Sequence, residues 1–176
     1  MIRAYHFVGD ALRDGSAIPP DGEWLTFDGR VKICKSGLHA GRHPFDALQY
    51  APGETLCLVE CADIVDEQSD KLVCRRRRIV ARIDATEVLR EFARWCALQV
   101  IDLWNALPVV REYLETGKED LRDAAGDAAG AAAWDARAAA GAAAWAARDA
   151  ARAAAGDAAG DAQRTKFADA VHNEFR

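Results

Sequence analysis

Apolar and polar positions divide the chain into three stretches. From Met1 to about Ala81, apolar or alternating runs of strand length recur at Ile2 to Val8, Val31 to Cys34, Thr55 to Cys61 and Leu72 to Ile83. That is the pattern of half-buried strands. The breaks between them hold Gly15, Pro19-Pro20, Asp21-Gly22, Asp28-Gly29 and Pro52-Gly53, the residues that turns require. His43-Pro44 followed by Phe45, Ala47, Leu48 and Tyr50 predicts a short helix with Pro in its first turn.

The second stretch is helical. Asp84-Ala85-Thr86-Glu87 has capping-box spacing, an acceptor followed three residues later by a carboxylate. Val88, Leu89, Phe92, Trp95, Cys96, Val100 and Leu103 then recur at helical intervals, a face broad enough to pack on a sheet. Pro108 opens a further helix and Thr116-Gly117 closes it.

The third stretch is a repeat. Asp127–Arg137, Ala138–Arg148 and Asp149–Ala159 are blocks of eleven residues, with Gly130, Gly141 and Arg152 at the fourth position and Trp134, Trp145 and Gly156 at the eighth. The same register places Gln163 and Phe167 next in these columns. Eleven residues make three turns at about 3.67 per turn, which imposes a right-handed supercoil where the stripe meets another helix. Between Ala124 and Ala162, 24 of 39 residues are Ala, so helix is strongly favoured there. Each Gly costs up to about 1 kcal/mol relative to Ala, so the Gly positions call for an offsetting close contact. The partner is either another chain or the front domain, reached by folding back. Gly130, Trp134, Gly141, Trp145 and Phe167 are the residues expected at that interface.

Composition narrows the possibilities. The 51% hydrophobic content is inflated by Ala, so the core formers lie almost entirely before residue 121. No apolar window is long enough to span a bilayer, and the N-terminus lacks a basic, apolar, cleavable pattern. Five Cys without a CxxC pair suit reduced thiols in a cytoplasm. A net charge of −5 argues against a general nucleic-acid binder. Cys57 and Cys61 fall four apart in an expected strand, too far from one another to share a metal ion. Neither a metal nor a cofactor is expected, and no catalytic residue is assigned.

Arg75-Arg76-Arg77-Arg78 is the basic run. It reads either as a charged edge strand or as guanidinium forks for a phosphate. In a strand, alternate members face opposite ways, so at most two or three of the run line one surface.

Gly37-Leu38-His39-Ala40 followed by Pro44-Phe45-Asp46 and Tyr50 carries a resemblance. The stretch from Lys35 to Glu60 resembles an uncharacterised domain family of phage and actinobacterial proteins, with a G-[LF]-H-[AF] strand and then P-x-D-x-x-x-Y. The likeness covers roughly residues 1–83, and Ala/Trp/Arg-rich tails are similar to those attached to such domains. The spacing from Gly37 to Tyr50, then Leu56–Glu60 and Arg77 to Val80, also resembles the spine of poly(ADP-ribose) polymerase-type ADP-ribosyltransferases. That resemblance implies a nicotinamide-stacking role for Tyr50 and a ribose-holding role for His6. The chain departs from it twice: Phe7 follows His6, and Arg77 stands where the catalytic Glu belongs. Glu60 and Glu87 are the carboxylates that an active transferase would have to use instead.

The expected fold is α+β: a small mixed or antiparallel sheet as head over residues 1–83, connector helices packed on it over 84–117, and an Ala-rich eleven-residue-repeat helix of right-handed coiled-coil type over 118–176. The expected function is non-enzymatic self-assembly through that helix as a homo-oligomer. The alternatives are sequestration of an NAD-derived or other phosphorylated nucleotide through His6, His39, Tyr50, Arg75 and Arg77, and ADP-ribosyl transfer.

Overall fold

The computed structural model describes residues 1–139 and 143–175, leaving aside the side chains of 134–139, 143–155, 157 and 158. Trp134, Gly141 and Trp145, expected at a helix interface, therefore lie outside the described side chains. The fold is α+β, with a five-stranded sheet and packed helices. In chain order come β1 (Ile2–Val8), β2 (Trp24–Thr26), β3 (Leu38–Ala40), α1 (Pro44–Leu48), β4 (Thr55–Glu67), β5 (Leu72–Asp84), α2 (Thr86–Leu98), α3 (Pro108–Thr116), α4 (Arg122–Ala139) and α5 (Ala143–Glu174).

All the pairings are antiparallel. β4 and β5 form a long hairpin, β1 lies along the first half of β4, and β2 and β3 pair with successive parts of β5. Val31–Cys34, expected as a strand, is instead a loop closed by a bridge between Lys32 and Ser36. Its backbone turns back at Cys34 (φ 62°), which ends any extended run. The short strands at β2 and β3 carry only three residues each and leave little periodic signal.

Two compact units result, one of Met1–Leu89 with Arg164–Arg176 and the other of Arg90–Gln163. The first thus includes the end of α5 as well as the expected head. On its inward sheet face Ala4 and Val8 meet Cys57, Val59, Cys61 and Ile79. On the opposite face the Tyr5 hydroxyl lies 2.9 Å from His172 Nε2, and Phe167 sits edge-on to Phe45 with ring centroids 6.5 Å apart. Phe167 is completely buried there. Its core position removes it from the stripe expected to meet another chain.

His43 starts α1 by accepting a bond from the Phe45 amide through Nδ1 (3.3 Å), ahead of Pro44 at the first helical position. Asp46 is then carried into the interior, 2% exposed, where it pairs with Arg164 of α5 (2.6 Å from Nη2 to Oδ2). Asp84 caps α2 by accepting from the Thr86 amide at 2.9 Å. In the second unit α3 packs on α4, and Gly117 ends α3 in the left-handed region (φ 66°). Among the described residues no helix is long and apolar enough to cross a membrane.

Removing Arg164 leaves the buried Asp46 carboxylate unpaired. Because Arg164 is itself about a third exposed, the expected loss for Arg164→Met is about 2–3 kcal/mol, below the range for a fully buried pair. A urea titration should show an earlier midpoint, with part of the loss recovered in Arg164→Met/Asp46→Asn. An unchanged midpoint in the single variant would deny that this pair holds the end of α5.

Candidate functional site

The inward face of the sheet opens into a cavity of about 830 Å³. Its floor is set by strand alternation: His6 falls between Ala4 and Val8 on the face that packs inward, and Arg77 lies opposite Cys61 on that face. Both are polar residues in register positions that otherwise carry core side chains. Phe27, Leu12, Leu25 and Leu38 supply apolar wall. One side is formed by the loop before β3, which lies so close to the sheet that a Cβ on Gly37 would stand 2.7 Å from Val73 and 2.9 Å from Val31. With φ at +106°, that position also requires a backbone that L side chains rarely adopt.

Arg77 is the most unusual group here. Its side chain is 7% exposed and lines the cavity, and Nη1 donates to the His39 carbonyl. Among the described residues no carboxylate pairs with it; its near neighbours are the thiols of Cys57, Cys61 and Cys74. Burial draws its pKa below the ordinary arginine value, yet a guanidinium remains charged in proteins. A cation with no carboxylate partner among the described residues is therefore held at the cavity wall.

His6 makes no hydrogen bond among the described residues. Burial foremost, and then the charges of Arg77 and His39, hold its pKa well below the usual imidazole value. His39 is different: Nε2 accepts from the Cys34 amide at 3.0 Å, and Nδ1 lies 3.2 Å from the Gly37 carbonyl. With both ring nitrogens engaged, His39 fixes the loop wall and exposes only its ring to the cavity. Its pKa is lowered by burial first, against the opposing pull of the Gly37 carbonyl.

Tyr50 stands at the rim, 54% exposed. Its hydroxyl donates to Asp70 Oδ2 (2.5 Å) and accepts from Lys71 Nζ (2.8 Å), while the same ammonium lies 4.7 Å from the ring centroid. The Tyr50 hydroxyl and Asp70 hold the Lys71 pKa above the usual lysine value, so this cation persists at the mouth.

Four of the five expected ligand residues, His6, His39, Tyr50 and Arg77, therefore line one cavity. Arg75 does not: it is exposed, and Nη1 donates to the Gly29 carbonyl at 3.1 Å. Arg76 and Arg78 lie over Trp24 at 4.6 and 4.9 Å, and Arg78 also pairs with Glu60 (2.6 Å). Sequence reasoning missed Arg13, Lys35 and Lys71. Each sits in or beside a turn, and only the folded hairpin and loops bring them to the mouth. Among the described lining residues, Asp14 is the sole carboxylate, and it accepts from the Ser16 amide and hydroxyl (3.0 and 2.6 Å).

His6, His39 and His43 set an acid limit on stability. Their folded pKa values lie below the unfolded value of about 6.5, so at lower pH the unfolded chain binds protons that the folded chain resists. The stability they contribute is full above about pH 6.5 and is lost as pH falls towards the folded values. Urea midpoints measured down a pH series should fall through this window, and His6→Gln should flatten the slope most. An equal slope in that variant would clear His6 as a source.

The sequence pattern of DUF7666, a domain of unknown function, matches residues 2–91. The chain belongs to that family. No curated protein and no solved structure matches it.

Proposed function

We propose that the sheet unit of this DUF7666 member binds a small anionic ligand with a planar apolar body, of the phosphorylated-nucleotide class. The carrying observation is Arg77, a nearly buried guanidinium that faces a cavity and has no carboxylate partner among the described residues. An unpaired buried charge costs several kcal/mol, and an anionic ligand offsets that cost through charge-assisted, bidentate hydrogen bonds. The surroundings support the same reading. Arg13, Lys35, Lys71 and Arg77 line the cavity, with Asp14 as the carboxylate among the described lining residues and Asp70 paired to Lys71 at the mouth, in a chain whose net charge is −5. The volume suits a nucleotide-sized molecule, since ligand sites run from about 300 to 1,000 Å³. Phe27 and the leucines offer a surface for the apolar body, with the Tyr50 ring at the entrance. The reading assigns binding without turnover, because Asp14, the carboxylate among the described lining residues, is engaged by Ser16.

Calorimetry with AMP, ADP-ribose and NAD is the direct test. At least one should bind the full chain, more weakly as salt rises. Arg77→Met should lose at least about thirtyfold in affinity, Arg77→Lys should lose less, and Arg75→Met, which alters a residue outside the cavity, should bind as wild type. Silence from all three ligands, or undiminished affinity in folded Arg77→Met, would overturn the reading.

Self-association is a second reading, favoured by observations in the other unit. Val100, Leu103, Trp104 and Leu107 are 47%, 83%, 39% and 49% exposed within eight residues, and clustered apolar exposure of this kind marks contact surfaces. A Cβ on Gly130 would meet nothing within 4 Å, so no packing within the described chain accounts for that glycine. Light scattering should then give a multiple of 19.1 kDa, returning to the single-chain mass in Leu103→Glu/Trp104→Glu. A wild-type mass of one chain would overturn this reading.

A further inference from the structure

We propose that the anion taken by this cavity is a terminal phosphate monoester, gripped between Arg77 and His6, and that His6 accepts a proton as the ligand binds. The inference rests on the anion-site reading above and adds to it the ligand's charge state and a role for His6.

The argument starts from what faces His6. Its own strand places Ala4 and Val8 on either side. In its row across the sheet stand Cys57 of β4 and then Arg82 of β5, while Arg77, in the row of Cys61, and His39 of β3 line the same cavity and their charges reach the ring. None of these is an acid; Asp21 is engaged by Arg82, and Asp14, the carboxylate among the described lining residues, is held by Ser16. Protonating His6 in the empty cavity would set two cations near one another without an anion. The imidazole is therefore neutral there, with its hydrogen-bonding capacity unused among the described residues.

An anion at Arg77 reverses that balance, and its charge decides what His6 does. A phosphate diester or a carboxylate carries one negative charge, which the guanidinium alone matches. A phosphate monoester has a second pKa near 6 and approaches two charges above neutrality. Its second charge is left for a second cation, and His6 is the group on the floor able to become one by taking a proton from solvent. No covalent bond forms or breaks. An imidazolium then donates to one phosphate oxygen while the guanidinium donates to others.

Placement points the same way. Arg77, 7% exposed, and His6 share the strand face that packs inward, whereas Tyr50 is 54% exposed. A terminal phosphate reaches inward ahead of the body it ends, whereas an internal diester would have to draw both of its substituents in with it.

The test is calorimetric titration of the full chain with AMP at pH 7.5, repeated in two buffers of different ionisation enthalpy. Wild type should take up a sizeable fraction of about one proton per AMP bound. His6→Gln should bind roughly tenfold more weakly with no uptake, and any binding of 3′,5′-cyclic AMP, a phosphodiester with a single charge, should proceed without uptake. In parallel, the His6 ring resonances of the wild-type protein should move towards imidazolium positions on adding AMP, a readout that needs no variant to fold. AMP binding without proton uptake, uptake that persists in His6→Gln, or binding of NAD but not AMP would overturn this proposal and leave the anion site standing. No binding of AMP, ADP-ribose or NAD would overturn the anion site itself.

Discussion

The pairing of β4 with β5 is the constraint on which the rest of the first unit is built. Two strands of thirteen residues run antiparallel through nearly their whole length, interrupted by irregularities at Leu58/Val59 and Ile64/Asp66. The remaining strands find their places along this ladder, and side-chain alternation then decides what each strand turns inward. A shift of one residue would send Arg77 outward and bring Arg76 or Arg78 into the apolar interior. The ladder thus determines which of four consecutive arginines becomes a buried cation. The other three are absorbed by Gly29, Trp24 and Glu60 on exposed or half-exposed ground.

Much of this was legible before any coordinates. The period-two runs of β1, β4 and β5 gave the three long strands, His43-Pro44 gave α1, and Asp84 marked the start of α2. His6, His39, Tyr50 and Arg77 were grouped from the ADP-ribosyltransferase resemblance and the arginine run, and all four line one cavity. The errors have physical causes. A three-residue strand such as β2 or β3 lacks enough residues to show a period, and apolar Val31 and Ile33 belong to a loop that turns at Cys34. Treating Arg75 as equivalent to Arg77 assumed a regular strand, but Asp63 on β4, between the partners of Arg76 and Cys74, has a left-handed backbone (φ 55°), and Cys74 and Arg77, three residues apart, are both buried. Lys71 gave no local signal, because its meeting with Tyr50 depends on the hairpin coming around.

The C-terminal stretch shows how a repeat conceals a change of role. Eleven-residue spacing put Phe167 in the same column as Trp134 and Trp145. Periodicity alone describes one helix face and says nothing of what covers it. Around Phe167 the composition is no longer Ala-dominated: Arg164, Lys166, Val171 and His172 stand close by. These richer side chains let the last turns dock on the sheet unit, with Arg164 on Asp46 and His172 on Tyr5.

That docking bears on how the chain is made. Asp46 and its partner Arg164 are 118 residues apart, so the sheet unit cannot be completed while the ribosome is still adding the Ala-rich segment. The nascent sheet must wait with the Tyr5 and Phe45 face uncovered and a carboxylate lacking its cation. Closing so long a loop costs only slowly growing entropy, so the delay is set mainly by the order of synthesis. During that interval the helix-forming segment itself acts as the spacer between an unfinished domain and its final piece. The step that completes the sheet unit therefore comes late, after the Ala-rich segment has been made, and it is the stage at which the uncovered face is most open to chaperones or to wrong partners.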